Sequence, residues 1–215
     1  MIDSIISALF FVTLIHITIT TRLAEYIKAL VIQGILIFIL TTSNYKEIGL
    51  FHTLILGGGI LFIKTLLIPY FIAYIIKKIK IKREAEVSID NFYSMLIAII
   101  IILISFIIAM FINYFDKSVN SMLLAVSIAS MNIGLFIITS RKKIITHVMG
   151  YLIFENGIYL MSFALAARIP VIIETGVLLD VFIGVLMMGI FVNRIATTTE
   201  SLDQSELRRL TDSCN

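Results

Sequence analysis

The amino-acid sequence predicts an all-α integral membrane protein with about seven transmembrane helices, the N-terminus outside the cell and the C-terminus in the cytoplasm. Two observations on composition predict the fold class. Of the 215 residues, 60% are hydrophobic and only 14% are charged, and the mean hydropathy is +1.06. Soluble domains rarely have this composition, and spans of about 20 residues each leave no room for a large extramembrane domain.

The third observation is the spacing of apolar runs that are long enough to cross a bilayer. They lie at residues 4–20, 23–41, 51–76, 93–114, 119–140, 144–167 and 171–195. The first run has only Asp3 ahead of it, without a basic n-region or a small-x-small cleavage site. We therefore interpret it as a retained span and not as a secretory signal. The second run is crossed near its start by Glu25 and Lys28, and it could begin as late as Ala29.

The distribution of Lys and Arg predicts the orientation, because cytoplasmic loops carry the excess of basic residues. One side of the predicted membrane carries Arg22, Lys28, Lys77, Lys78, Lys80, Lys82, Arg83, Arg141, Lys142, Lys143, Arg194, Arg208 and Arg209. The other side carries Lys46, Lys117 and Arg168. The run KKIKIKRE at residues 77–84 directly follows a span, so a cytoplasmic loop is favoured over a nucleic-acid or anionic-lipid patch. We expect no nucleic-acid partner.

The only cysteine is Cys214, so the chain has neither a disulfide framework nor a set of thiolates for an iron–sulfur cluster, zinc or nickel. His16, His52 and His147 show no HxxxH or HExxH spacing, and a polar helix contact is the favoured role for each. We expect no metal, no cofactor and no catalytic residue in this chain. Any redox centre must then belong to another chain.

Two carboxylates, Glu155 and Asp180, lie in segments that are otherwise apolar enough to span a bilayer, where ionisable groups are usually functional. If the sixth helix enters from the cytoplasm near Ile144, Glu155 lies about 16 Å into the membrane. If the seventh returns near Val171, Asp180 lies about 13 to 14 Å from the outer surface of a core about 30 Å thick. Both carboxyls are predicted near the midplane, on antiparallel neighbouring helices.

Two carboxyls at one level suit proton handling, because such groups can hold and release a proton near neutral pH. The alternative is that each is a neutral acid that is hydrogen-bonded to a neighbouring helix. The presence of two acids at one level favours a function. We expect the two to titrate as one coupled unit.

Lys64 is a third buried charge, set between the glycine triplet at residues 57–59 and Pro69, which together permit a local break in a membrane helix. It could be a counter-charge or a member of a proton relay. Equally, it could snorkel toward the cytoplasmic face or pair with an acid on another subunit. His147 and Tyr151 lie roughly on the side of the sixth helix that carries Glu155 and could conduct protons, although eight residues rotate the face by about 80°.

Three segments resemble a known family: GYLIFENGIYL around Glu155, ETGVLLDVFIGVLMMGIFVNRI around Asp180, and the tail SLDQSELRRL, predicted to form a short cytoplasmic helix. They look like component E of hydrogenase-4, a membrane subunit of formate hydrogenlyase-type and related hydrogenase complexes. The resemblance implies a four-helix membrane extension at residues 1–118. Residues 119–215 resemble the K subunit of complex I and the C subunit of multisubunit cation/proton antiporters.

In that K-subunit family, two membrane glutamates, one in each of the last two helices, belong to the proton pathway. Glu155 matches the first by motif position, and Asp180 matches the second with a shorter acid. The resemblance implies a non-catalytic subunit of a complex I-like, energy-converting hydrogenase or related redox complex in the cytoplasmic (inner) membrane. This complex would couple electron transfer to proton or Na⁺ movement. The implied partners are antiporter-like and other membrane subunits, and peripheral redox subunits.

Other functions remain as alternatives. The chain could be a subunit of a multisubunit cation/proton antiporter or a free-standing transporter, but the sequence has no repeat pairing of the kind that builds a midplane site. It could also be a purely structural membrane anchor, which needs no buried acids.

Overall fold

The computed structural model describes residues 2–43, 60–78 and 89–165. The regular elements in these stretches are helices: α1 (Ile2–Ile19), α2 (Leu23–Ser43), a π-helical segment (Ile60–Leu67) that continues into α3 (Ile68–Lys78), α4 (Asn91–Phe115), α5 (Ser121–Ser140) and α6 (Ile144–Ala164). All of them belong to one of the two units into which the chain divides, Met1–Val177.

Four helices in the described part of the chain, α2, α4, α5 and α6, are long and apolar enough to cross a bilayer. α1 is also apolar but shorter. The prediction of an all-α, multi-pass membrane protein is therefore confirmed. The predicted run at residues 171–195 and the first part of the run at residues 51–76 lie outside the described residues.

The most extensive helix pair is α5 with α6, and small residues bring the two backbones together. A Cβ atom added to Gly134 of α5 would lie 2.7 Å from the carbonyl oxygen of Gly150 in α6, closer than real Cβ atoms approach. The Ser130 hydroxyl then donates to the Ile153 carbonyl oxygen across the pair at 2.8 Å. This close contact fixes the position of the helix that carries Glu155.

The remaining helices pack around α1 and α2. α1 lies against α2, α4 and α5, whereas α2 lies against the π-helical segment, α3 and α6. α4 is buried only along a narrow stripe of small residues, which are Ser94, Ala98, Ser105 and Ala109. Phe106 of α4 stacks on Phe11 of α1 with ring centroids 5.1 Å apart. The rest of α4 is largely apolar and exposed, as expected for a helix that faces lipid or a neighbouring subunit.

Polar contacts hold one end of the bundle together. Asn120 caps α5 by accepting a hydrogen bond from the Leu123 amide at 3.3 Å. Its backbone amide donates to the Ala164 carbonyl oxygen at 3.1 Å, and its side chain donates to the Asp3 carboxylate at 3.4 Å. The starts of α1 and α5 therefore lie at the same end as the last turn of α6.

The connection from α4 to α5, at the same end, is a tight polar turn. The Ser118 hydroxyl and backbone amide both donate to the Asp116 carboxylate, at 2.6 and 2.9 Å. These bonds, first from the hydroxyl and then from the amide, hold the pKa of the Asp116 carboxyl below its usual range. The turn is thus stabilised by the ionised acid.

Candidate functional site

Glu155 of α6 and Lys64 of the π-helical segment form a buried ion pair. Lys64 Nζ lies 3.4 Å from Glu155 Oε1. Glu155 has no exposed surface, and Lys64 is 7% exposed. At this distance the attraction is about 5 kcal/mol if the effective dielectric constant is about 20. Because removing each charge from water costs several kcal/mol, the pair keeps both charges in an apolar interior without adding much net stability.

Two further side chains of α6 surround the Lys64 ammonium. Asn156 Oδ1 accepts a hydrogen bond from Nζ at 3.4 Å, and the centroid of the Tyr159 ring lies 4.0 Å from Nζ. Glu155 and Tyr159 are four residues apart, so they lie one turn apart on the same helix face. The aromatic face attracts a cation, and this attraction strengthens when the cation is desolvated. α6 thus surrounds Lys64 with an anion, an amide oxygen and a π-face.

The backbone around Lys64 explains how this side chain reaches α6. Lys64 lies within the π-helical segment, a geometry that is rare and often found at functional sites. The adjacent Thr65 faces Gly34 of α2, where an added Cβ atom would lie only 2.6 Å from the Thr65 hydroxyl oxygen. Because Gly34 has no side chain, the π-helical segment can approach α2 closely. This approach brings Lys64 toward α6, which also packs against α2.

A line of buried polar side chains continues from Lys64 across α6, α2 and α1. Asn156 Nδ2 donates to Gln33 Oε1 at 3.0 Å, and Gln33 Nε2 donates to Thr13 Oγ1 at 3.0 Å. The Thr13 hydroxyl donates to the Phe10 carbonyl oxygen at 2.7 Å. Gln33 has no exposed surface, and Asn156 and Thr13 are buried as well. Each amide in this line therefore has partners for its oxygen and for its nitrogen.

A small cavity borders the charge pair. Its lining consists of Leu30, Lys64, Ile68, Pro69, Leu152 and Asn156, and its volume is about 10 Å³. A space of this size is comparable to one water molecule. Polar groups of Lys64 and Asn156 face an otherwise apolar lining, so a water there would have partners next to the charge pair.

The charge pair is net neutral as an ammonium with a carboxylate. A proton on Glu155 would leave the Lys64 ammonium without its counter-charge in an apolar interior, and an uncompensated buried charge is costly. The net charge of the site therefore depends on the proton of the Glu155 carboxyl.

A second buried cation, Arg141, lies between α5 and α6. Arg141 is 3% exposed, and its guanidinium donates to the carbonyl oxygens of Thr18 and Thr20 at 3.0 and 3.4 Å. A cation at this position caps the C-terminal end of α1. His147 Nε2 donates to the Arg141 carbonyl oxygen at 2.6 Å. Arg141 and His147 thus link the start of α6 to the last turn of α1.

The structure brings together two of the five residues predicted for a proton pathway, Lys64 and Glu155. The contact fits a counter-charge and not a snorkelling lysine. His147 lies eight residues from Glu155, about 12 Å along α6. Tyr151 lies between them, with its ring 6.3 Å from that of Phe154. Asp180 lies outside the described residues, so its predicted level with Glu155 stays a prediction.

The sequence pattern predicted no role for Gln33, Asn156, Thr13 or Tyr159. A signal existed for the two amides, because Gln33 interrupts the apolar run LVIQGILIF and Asn156 directly follows Glu155. Polar side chains in membrane helices usually find partners on neighbouring helices. Thr13 and Tyr159 carry no comparable signal, since threonine and tyrosine are common in apolar spans without such a role.

Comparison with known proteins identifies two kinds of relative. An uncharacterised protein of Mycobacterium tuberculosis is 28% identical over 157 residues, which cover 73% of this chain and 71% of that protein. Hydrogenase-4 component E of Escherichia coli K12 is 33% identical over 87 residues, and the protein of the same name from Shigella flexneri gives the same values. The similarity covers 40% of this chain and 40% of component E.

This similarity supports the predicted resemblance to a hydrogenase-related membrane subunit. The resemblance of residues 119–215 to complex I K subunits and antiporter C subunits stays a prediction. No protein-family model matches the chain, and no solved structure matches it.

Proposed function

We propose that the chain is a non-catalytic membrane subunit of a complex I-like, energy-converting hydrogenase or a related redox complex. In this role it contributes Glu155 and Lys64 to the translocation of protons or Na⁺. The observation that carries the proposal is the buried Lys64–Glu155 pair inside a bundle of membrane-spanning helices. Ionisable residues at this depth are expensive to bury, and they commonly mark ion pathways.

Membership of such a complex is supported by the similarity to hydrogenase-4 component E. It is also supported by α4, whose large apolar face is available to a neighbouring membrane subunit. The partners that we propose are antiporter-like and other membrane subunits, with peripheral subunits that carry the redox centres. The location that we propose is the cytoplasmic (inner) membrane.

The finer topology is part of the proposal. We propose seven spans with the N-terminus outside and the C-terminus in the cytoplasm, divided into an extension at residues 1–118 and a K-subunit-like part at residues 119–215. Arg22 and Arg141 lie at one end of the bundle, because Arg141 contacts the last turn of α1. Asp3 and Asn120 mark the other end. The positive-inside rule makes the first of these ends cytoplasmic.

The proposed ion pathway includes the remaining predicted residues. Asp180 is the second acid and titrates together with Glu155. His147 and Tyr151 lie on α6 between the Arg141 end of the bundle and Glu155, so they are the candidates for the cytoplasmic branch. Proton transfer over this distance needs intervening water. The small cavity at Lys64 has space for about one water molecule, next to Lys64 and Asn156.

A subunit of a multisubunit cation/proton antiporter is the second candidate, because it would use the same charge pair without electron input. Purification in mild detergent distinguishes the two candidates. Redox subunits in the purified complex support the hydrogenase-type assembly, whereas antiporter subunits alone support the alternative. A purely structural anchor is disfavoured by the burial of two charges.

Glu155→Gln tests the role of the carboxyl, because glutamine has nearly the same shape but cannot ionise. We expect the complex to assemble on a native gel while proton uptake into inverted vesicles, with H₂ as electron donor, is strongly reduced. The matched control is Glu25→Gln, since Glu25 also pairs with a lysine but lies at a solvated helix end. Full proton uptake by an assembled Glu155→Gln complex would refute the proposal, and loss of assembly alone would support a structural role.

A further inference from the structure

The hydrogen-bonded line from Lys64 to α1 has one direction throughout. A lysine ammonium can only donate, and the Phe10 carbonyl oxygen at the far end can only accept. Each intermediate group donates away from Lys64, from Asn156 to Gln33, from Gln33 to Thr13 and from Thr13 to Phe10. The two ends therefore fix the orientation of both amides, with each oxygen toward Lys64 and each nitrogen toward α1.

This alignment acts on the charge of Lys64. Both amide dipoles present their negative ends toward Nζ, and hydrogen bonds in a chain polarise one another in a poorly polarisable interior. The aligned line of amides therefore attracts the Lys64 ammonium and holds it between Asn156 and Glu155.

The side-chain chemistry of this hydrogen-bonded line limits what it can do. Asn156 and Gln33 carry amides, which neither gain nor lose protons near neutral pH, so the line cannot pass protons toward α1. Its members are fully or nearly fully buried on three helices. They form a fixed support whose geometry depends on how α1, α2 and α6 pack.

We infer that Asn156, Gln33 and Thr13 form a positioning chain that holds the Lys64 ammonium beside Glu155, with Gln33 as its central residue. The effect of this positioning chain on ion movement rests on the proposed function, because Glu155 is the proposed ion-carrying carboxyl. Its effect on the charge state of Glu155 depends on the hydrogen bonds alone. The Lys64 ammonium, held in this position, supplies the counter-charge of the Glu155 carboxylate.

The test reads the charge of Glu155 by infrared spectroscopy of the assembled complex in lipid, with Glu155→Gln identifying its bands. The first variant is Gln33→Met, which keeps a similar volume and removes both hydrogen bonds of the amide. At a pH where both forms of Glu155 are visible, we expect the ratio of ionised to protonated Glu155 to fall about threefold, because Asn156 loses its partner and holds the Lys64 ammonium less firmly beside Glu155.

Thr13→Val is the second variant, and it keeps the inference testable if Gln33→Met fails to assemble. Valine has the shape of threonine but neither accepts from Gln33 nor donates to Phe10, so the ratio should fall in the same direction. The matched control is Thr41→Val on α2, because Thr41 is buried but donates within its own helix to Ile37. That control should leave the ratio unchanged.

The outcomes separate this inference from the proposed function. An unchanged ratio in Thr13→Val, or in an assembled Gln33→Met complex, would overturn the positioning chain, even if Glu155→Gln abolished proton uptake. A fall in the ratio in these variants but not in Thr41→Val supports the chain. That result would support the positioning chain even if Glu155→Gln left proton uptake intact. In that case only the proposed function would be refuted.

Discussion

Removing the Lys64 charge is the perturbation whose size the structure defines best. In Lys64→Met the unbranched side chain is kept, but the buried Glu155 carboxylate loses a cation 3.4 Å away. That attraction is about 5 kcal/mol at an effective dielectric constant of about 20. Removing one partner of a buried pair typically costs about 3–5 kcal/mol, because the other charge stays buried without its counter-charge.

The cost should fall when both charges are removed together. Glu155→Gln alone leaves a buried ammonium, whereas the double variant Lys64→Met/Glu155→Gln leaves no charge at this site. We expect the double variant to be less destabilised than the two single variants added together, with a coupling energy on the order of 2–3 kcal/mol. The intact pair itself can contribute little, because desolvation offsets most of the attraction.

The assay is reversible unfolding of the purified chain in mixed micelles, followed by the loss of helical circular dichroism. A control cycle combines Glu155→Gln with Lys117→Met, because Lys117 is exposed in the connection between α4 and α5. That cycle should be additive within about 0.5 kcal/mol. If the destabilisations by Lys64→Met and Glu155→Gln also added up to that of the double variant within about 0.5 kcal/mol, the ion pair would not be an energetic unit.

Three further predictions follow from the packing, the topology and the second acid. Gly134→Ala should destabilise the bundle by about 1–3 kcal/mol, because the new methyl group meets the α6 backbone, while Leu135→Ala on the exposed side of α5 should have a smaller effect in the same unfolding assay. Cysteine labelling of intact cells should modify Lys46→Cys and not Lys80→Cys, and the reverse pattern would contradict the orientation. Asp180→Asn should impair proton uptake as Glu155→Gln does, with little further loss in the double variant, and independent, additive losses would contradict coupled titration.

The helices were predictable because membrane spans depend mainly on composition. A bilayer requires long apolar stretches, and α1, α2, α4, α5 and α6 coincide with predicted runs to within a few residues. The place of Glu155 along its helix was predictable for a similar reason, whereas its depth in the membrane stays a prediction. Rise along a helix is fixed, and Glu155 lies near the middle of the 21-residue α6.

The contacts of the site could not be predicted in the same way. Lys64 and Asn156 are 92 positions apart, and their contact depends on how the π-helical segment, α2 and α6 are rotated about their axes. Hydropathy does not encode that rotation, so a counter-charge and a snorkelling lysine were equal alternatives for Lys64. The π-helical geometry also could not be predicted from the apolar pattern, because a change in the hydrogen-bond register of a helix does not change its composition.

We propose that Glu155 changes its protonation during turnover, beside the Lys64 ammonium. Infrared difference spectroscopy of the reconstituted complex, with turnover started by H₂, measures this directly. We predict a carboxyl band that appears and disappears with turnover, is absent in Glu155→Gln and persists in Glu25→Gln. Identical carboxyl bands in turning-over wild-type and Glu155→Gln complexes, both fully assembled, would contradict the claim.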